Sequence, residues 1–177
     1  MREPAPPYPS EGPHALWHVS EDPSIERFEP HVAATSDRQE PLVWTVDTRH
    51  LPLYWFPREC PRACFWASEA TTSADAELLQ GSLRVHVVES AWLDRIRAAR
   101  VVAYRLPEEP FEHEGDGFWV SRKPVAPLEL VELGDLAARH QEAAIELRPV
   151  AGIWPLWNHV AASTLEFSGI RLRNAEP

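Results

Sequence analysis

Short apolar runs separated by polar, proline-containing turns make up most of this chain. Short runs that are rich in Val, Leu, Trp and Phe are typical of β-strands. Strands are therefore predicted over residues 16–20, 41–47, 63–67, 83–89, 101–106, 118–121, 128–133, 145–150 and, as a last edge strand, 170–173. Apolar and polar residues alternate over 83–89, which predicts that one face of this strand is buried.

Helical patterns are fewer, and polar residues mark their ends. The predicted helices cover residues 50–56, 91–99, 135–144 and 154–165. Asp47 and Thr48 are placed to cap the first helix and Ser90 the second, while Ser168 and Gly169 end the last one. Because the strands outnumber the helices and do not alternate regularly with them, the pattern predicts an α+β fold.

Length and composition indicate a single globular domain behind a short leader. The chain has 177 residues, a length that fits one domain with a sizeable core. Its 18 prolines against seven glycines indicate short elements joined by stiff turns. Residues 1–13 are proline-rich and lack an apolar period, so we predict a flexible leader there and the globular domain over 14–177.

The charge of the chain excludes several classes of partner. The net charge is −10, and the positive residues are not gathered into one block. Nucleic-acid backbones and anionic membranes would be repelled, although a local arginine pocket for one phosphate is still permitted. The sequence has no apolar run of the roughly 20 residues that span a bilayer, and its start does not resemble a signal peptide. We therefore expect a cytoplasmic protein.

The two cysteines, Cys60 and Cys64, are too few to close a tetrahedral zinc site. The nearby His50 and His86 add no recognisable ligand spacing. Reduced structural thiols and no metal are the expectation for a cytosolic chain. The common catalytic signatures are missing as well, which removes α/β-hydrolases, P-loop enzymes, zincins and classical dehydrogenases from the leading hypotheses.

The first predicted strand delivers His18 and Ser20 into a polar turn. A histidine at a strand end can hydrogen-bond a ribose or a phosphate, or act as an acid or base near neutral pH. A structural histidine bonded to the backbone is equally compatible with this position. Ser20 could contact a ligand or simply initiate the turn.

Aromatic residues in and after the second predicted strand could stack on a planar ring. The set comprises Trp44, Tyr54, Trp55 and Trp66. Side chains of this kind more often fill a core. Tyr54 is the exception, because its hydroxyl lies after the second strand, where it could face a cleft.

The last part of the chain carries a polar group of residues that could line a pocket for an anionic ligand. They are His159, Glu166, Arg171 and Arg173. Alternatively, the arginines are solvated charges on an edge strand that discourage aggregation, or Glu166 and Arg171 form a buried pair.

Several segments together resemble a small bacterial family of unknown function. They read LWHVSEDPSI from residue 16, PLVW from residue 41, YWFPR from residue 54 and STLEFSGIR from residue 163. This resemblance covers most of the chain after residue 14 and implies no activity.

A more distant resemblance is to the ADP-ribosyltransferase-like fold. It rests on His18 in the first strand, Trp44 in the second and the late run 118–130. The resemblance implies a split, mainly antiparallel sheet with flanking helices that holds NAD in a cleft. His18 would contact the ribose, and Trp44 or Tyr54 would stack on the nicotinamide.

The chain departs from this pattern at the late strand. That strand should begin with a glutamate that stabilises the developing positive charge on the ribose, but here it begins with Phe118 and Trp119. The remaining catalytic candidates besides His18 are Asp116 in the preceding loop and Glu166. His18 therefore indicates binding more than catalysis.

Three hypotheses follow. The first is a protein that binds NAD or a related nucleotide near His18, either as a divergent transferase or without catalysis. Its six ligand-binding candidates are His18, Ser20, Trp44, Tyr54, His159 and Arg171. The second is a non-catalytic module whose exposed aromatics bind a protein partner. The third is a small hydrolase or phosphotransferase that uses His18, His159 and the pair Arg171 and Arg173.

Overall fold

The computed structural model describes residues 15–32 and 39–177. The predicted leader over 1–13 lies outside these residues, and the boundary of a single domain stays a prediction. Contacts divide the chain into two compact units. The six-strand unit contains the described residues up to 55 together with 100–133, and the four-strand unit contains 56–99 and 134–177. Each unit is described by itself.

The strands in chain order are β1 (Leu16–Ser20), β2 (Val43–Asp47), β3 (Arg62–Trp66), β4 (Arg84–Glu89), β5 (Val102–Leu106), β6 (Glu112–Gly115), β7 (Phe118–Ser121), β8 (Glu129–Glu132), β9 (Ile145–Val150) and β10 (Glu166–Ile170). The α-helices are α1 (Ser73–Ala76), α2 (Leu93–Ala98), α3 (Leu136–Glu142) and α4 (Trp154–Ala161). Short 3₁₀ helices cover Leu51–Tyr54, Glu77–Leu79, Ser90–Trp92 and Leu172–Asn174. The predicted α+β class is confirmed.

The six-strand unit is an antiparallel sheet in the order β6-β7-β2-β1-β5-β8. Its core lies on one face of the sheet and consists of Leu16, Phe28, Val43, Val102, Tyr104, Leu106, Phe111 and Val125. The Tyr104 hydroxyl accepts the Ile25 N–H at 3.0 Å and donates to the Asp22 carbonyl at 2.8 Å. A core residue thereby fixes the polar turn that follows β1.

The four-strand unit is a mixed sheet in the order β10-β3-β4-β9, in which β4 and β9 run parallel. Its apolar core lies on one face and consists of Ala63, Phe65, Leu79, Val85, Val87, Ile153, Val160 and Leu165. Because side chains alternate along a strand, the other face of β3 and β4 carries Arg62, Cys64, Trp66, Arg84 and His86. These residues, three of them charged or polar, are buried as well. The prediction that β4 has a single buried face was therefore wrong.

Three predicted element ends were also wrong. Ser90 does not cap a helix through its side chain, since its hydroxyl donates to the Val150 carbonyl at 3.1 Å. The helix predicted over 154–165 ends at Ala161, and Ser168 and Gly169 lie inside strand β10. The expected strand at 170–173 is mostly the 3₁₀ helix Leu172–Asn174. None of the helices in the described residues is long and apolar enough to cross a membrane.

Candidate functional site

The predicted site residues fall into both units. His18, Ser20, Trp44, Tyr54 and Asp116 belong to the six-strand unit, whereas His159, Glu166 and Arg171 belong to the four-strand unit. The assignment of these residues to one ligand site stays a prediction.

His18 is half-buried in the middle of β1. Its Nδ1 lies 2.9 Å from the carbonyl oxygen of Trp44 on the neighbouring strand. A carbonyl only accepts, so Nδ1 carries the proton and Nε2 is the acceptor nitrogen of the neutral ring. The ring also lies 4.7 Å from that of Phe28, measured between centroids. These contacts hold the imidazole in one orientation.

His18 and the Trp44 ring face opposite sides of the sheet. Trp17 pairs with Val46, so the side chains of Trp17, Val46 and Trp44 share one face, and His18 points to the other. The Trp44 ring packs edge-on against Phe118 at 6.3 Å. The structure therefore brings His18 to the Trp44 backbone and not to its indole.

The turn after β1 is held by its own polar groups. The Ser20 hydroxyl accepts the Asp22 N–H at 3.0 Å, as expected for a residue that initiates a turn. The Asp22 carboxylate accepts the Ser24 hydroxyl at 2.6 Å and the Ser24 N–H at 2.8 Å. These bonds from Ser24 lower the pKa of Asp22. An ordered, exposed carboxylate thus lies four residues after His18 in the sequence.

Tyr54 and Asp116 occupy different local settings. Tyr54 is half-buried at the last position of the 3₁₀ helix Leu51–Tyr54. Asp116 is exposed between β6 and β7 and has a φ of 49°. Asp residues tolerate this left-handed region better than most, which is typical of a hairpin turn. The geometry of the hairpin turn therefore accounts for the position of Asp116.

An Asp–His pair that the sequence reasoning missed lies next to this hairpin. Asp47 is buried, and its Oδ1 accepts the His50 backbone N–H at 2.9 Å and the His50 Nδ1–H at 2.7 Å. The His50 ring lies against Gly117, where an added Cβ would be 1.9 Å from Nδ1. The spacing Asp-x-x-His at the end of the second predicted strand could have revealed this pair. Asp47 was predicted only as a helix cap.

The predicted residues of the four-strand unit each have a local partner. Glu166 accepts the indole N–H of Trp66 at 2.5 Å. His159 is exposed, and its Nδ1 lies 2.7 Å from the Pro155 carbonyl one helical turn earlier. The Arg171 Nε donates to the Arg58 carbonyl at 3.3 Å.

A buried cluster of two arginines and two histidines lies in this unit, and sequence reasoning did not identify it as a site. Arg62, Arg84, His86 and His140 are all nearly or fully buried, and we refer to them as the Arg–His cluster. His86 Nδ1 lies 3.0 Å from His140 Nε2, and His140 Nδ1 lies 2.6 Å from the Leu136 carbonyl. The sequence separation of 54 residues between the two histidines explains why no local pattern revealed it.

Aromatic rings hold the cluster in place. The Arg84 guanidinium lies over the Trp66 ring at 4.4 Å, and the Arg62 guanidinium lies over the Phe56 ring at 5.1 Å. The Phe56 ring also packs against His140 at 4.9 Å and His86 at 5.7 Å. Such stacking suits the flat, weakly hydrated guanidinium.

Burial determines the charge state of the histidines. It lowers the pKa of His86 well below the usual value, and Arg84, His140 and Arg62 lower it further. Burial also lowers the pKa of His140 to about 4, against the opposing effect of its bond to Leu136. Both imidazoles are therefore neutral near pH 7, and the positive charge of the cluster resides on its arginines.

The cysteines lie near this cluster in the sequence, and both are buried without a disulfide. Burial raises the pKa of the Cys60 thiol to about 12, which makes it a poor nucleophile at neutral pH. Within residues 15–32 and 39–177, no three His, Cys, Asp or Glu side chains are grouped so that they could hold a metal ion.

The fold and these sites define an α+β protein with one antiparallel and one mixed sheet. A family model described as a family of unknown function (DUF6886) matches residues 17–175, and the chain therefore belongs to this family. No curated protein and no solved structure matches it. The predicted membership in a family of unknown function is confirmed, and the resemblance to the ADP-ribosyltransferase-like fold stays a prediction.

Proposed function

We propose that the protein binds a nucleotide with a ribose, such as NAD or ADP-ribose, at His18 in the six-strand unit. The observation that carries this proposal is the hydrogen bond between His18 Nδ1 and the Trp44 carbonyl. It fixes the tautomer in which Nε2 accepts, and an accepting nitrogen suits the hydroxyl groups of a ribose. An ADP-ribosyltransferase-like arrangement of the sheets is part of the same proposal.

The turn beside His18 offers further polar groups for such a ligand. Ser20, Asp22 and Ser24 are ordered by mutual hydrogen bonds and by the anchor to Tyr104. A turn that is ordered before binding loses little conformational entropy when a ligand arrives. Stacking of a nicotinamide on Trp44 requires the opposite face of the sheet, so we propose that Trp44 acts on this ligand through its carbonyl bond to His18.

The proposal is binding without ADP-ribosyl transfer. Transfer needs a carboxylate that stabilises the developing positive charge on the ribose. Asp116 is exposed in a hairpin turn, and Glu166 is engaged by the Trp66 indole in the four-strand unit. Neither setting is that of a carboxylate prepared to face a ribose.

Isothermal titration calorimetry on the full chain tests the proposal with NAD, ADP-ribose and nicotinamide. His18→Asn keeps an amide donor near the position of Nδ1 but removes the Nε2 acceptor. We expect ADP-ribose to bind the wild type and the variant to bind about tenfold more weakly, the effect of one hydrogen bond. His31→Asn is the control, because His31 Nδ1 also meets a carbonyl, that of Glu29, on an exposed segment. Absence of heat with both nucleotides, or equal affinity of His18→Asn, would contradict the proposal.

One observation favours a second function, the binding of a protein partner. Strand β8 lies at an edge of its sheet, and Leu128 just before it and Leu130 within it are 66% and 39% exposed. Exposed leucines next to an open strand edge are typical of surfaces that bind an extended segment. Replacing both leucines by Ser should abolish binding of a protein partner and leave nucleotide binding unchanged. If nucleotide binding is lost instead, the leucines do not form a separate binding surface.

A further inference from the structure

The edge strand β8 presents backbone groups as well as leucines to the outside of the six-strand sheet. Val131 lies opposite Ala103 of β5. Further along the same strand pair, the Leu133 N–H donates to the Val101 carbonyl at 3.0 Å. Bonded and non-bonded pairs alternate along an antiparallel ladder. Val131 therefore bonds to β5, whereas the N–H and C=O of Leu130 point away from β5, toward the open edge.

The two faces of this edge differ in character. Leu130 lies opposite Tyr104, a core residue, so its side chain is on the core face of the sheet. It is nevertheless 39% exposed, since no further strand follows β8 in the described part of this sheet. Glu129 and Val131 are on the other face, and Glu129 is exposed. A strand that adds to β8 therefore places one side chain beside Leu130 and the alternate side chains beside Glu129 and Val131.

The edge strand carries acidic charge and no basic residue. Residues 124–133 contain two acids, Glu129 and Glu132, and neither lysine nor arginine. The net charge of the whole chain is −10. A cationic segment is attracted by such a field, whereas a second copy of the chain is repelled. Arg105 lies opposite Glu129 on β5, and the two oxygens of a carboxylate can accept from a cation on each side.

We propose that β8 binds an extended, basic segment of a partner protein, in which an aliphatic residue pairs with Leu130 and is flanked by lysine or arginine. The backbone N–H and C=O of Leu130 supply the pairing, and the aliphatic side chain covers leucine surface that is exposed in the free chain. A basic residue lies beside Glu129 on the other face. This inference rests on the partner binding proposed above and adds the chemistry and the register of the segment.

Fluorescence anisotropy with three labelled peptides tests the charge of the segment. All three alternate valine with one other residue, which is lysine, threonine or glutamate, and each pattern reads the same in both directions. We expect the lysine peptide to bind the full chain most tightly, by about threefold for each facing pair of opposite charges. Equal affinity of the three peptides retains the binding of an extended segment but overturns its basic chemistry. If none of them binds, the partner binding proposed for β8 is overturned as well.

Charge variants show whether the lysines meet Glu129. Glu129→Lys should remove the preference for the lysine peptide over the threonine peptide. Glu26→Lys makes the same change of net charge at an exposed position of the same unit and should keep the wild-type preference. Equal effects of the two substitutions would show that the net charge alone attracts the lysine peptide, which overturns the assignment to β8.

A backbone variant shows whether the segment adds as a strand. Leu130→Pro removes an N–H that points away from β5, so the sheet keeps its own bonds while the lysine peptide should bind about tenfold more weakly. If this variant fails to fold, a lysine peptide that is methylated at the nitrogen of its central valine makes the matching test on the wild type. Unchanged affinity in either test contradicts strand addition. Wild-type dimers in analytical ultracentrifugation that Leu130→Pro dissociates would identify a second copy as the occupant and overturn the proposal.

Discussion

Histidines in this protein differ in burial although they make similar hydrogen bonds. His140 and His159 each direct Nδ1 at a carbonyl one helical turn earlier, at 2.6 and 2.7 Å. His140 is fully buried beside two arginines, whereas His159 is exposed. Burial disfavours the charged form of an imidazole. The pKa of His140 is therefore low although its ring bonds to a carbonyl.

Acid should therefore destabilise the fold through the buried pair. The pKa of His140 falls from 6.5 to about 4 on folding, so the unfolded chain binds more protons between these values. The free energy of unfolding should drop as the pH falls from 6.5 to 4, by up to about 1.4 kcal/mol per pH unit for each such group. Urea denaturation at a series of pH values measures this slope.

A pair of variants isolates the contribution of His140. His140→Asn retains a donor to the Leu136 carbonyl but cannot titrate, so its slope should be flatter than that of the wild type. His159→Asn makes the equivalent change at an exposed position and should keep the wild-type slope. Parallel slopes for His140→Asn and the wild type would show that another group controls the acid response.

At the scale of elements, the sequence predicted strands better than their partners or ends. The apolar runs of β1, β2, β3, β5, β7 and β9 were found because burial favours Val, Leu and Trp in extended chain. Strand β6 was missed, since its residues Glu112 to Gly115 are acidic and mostly exposed. Strand β10 was taken for a helix end because Gly169 lies inside it, where Trp157 leaves no room for a side chain.

The candidate sites show the same limit. His18 could be singled out because a strand leads directly into a polar turn, and its bond to Trp44 comes from a neighbouring strand. The Arg–His cluster could not be found this way. His86 and His140 meet only after the sheet and α3 have packed, and no periodicity along the chain encodes that contact.

The β6–β7 hairpin gives a prediction at this scale. Gly117 has a φ of +75°, and a Cβ there would clash with His50. Gly117→Ala should lower the free energy of unfolding by the cost of positive φ plus that of moving the ring. Gly134→Ala is a matched control with a φ of +67° and no atom within 4 Å of the added Cβ. In urea denaturation, we expect Gly117→Ala to lower the free energy of unfolding by about 1–3 kcal/mol more than Gly134→Ala does. Equal effects of the two substitutions would show that the His50 ring moves aside without cost.

At the scale of the whole molecule, the net charge and the buried charge have opposite signs. The chain carries a net charge of −10, whereas the Arg–His cluster holds two cations away from solvent. Exposed charge controls encounters with large polyanions, because these interactions act over about a Debye length through solvent. Charges that are buried contribute little to such encounters, because they are held away from the solvent. We therefore expect the net charge to repel nucleic-acid backbones and the buried arginines not to attract them.

This separation predicts that double-stranded DNA does not bind the protein. Fluorescence anisotropy of a labelled duplex should show no increase at about 50 mM salt, a condition that favours electrostatic binding of DNA. An anisotropy increase that weakens with added salt would reveal a basic surface that the net charge conceals.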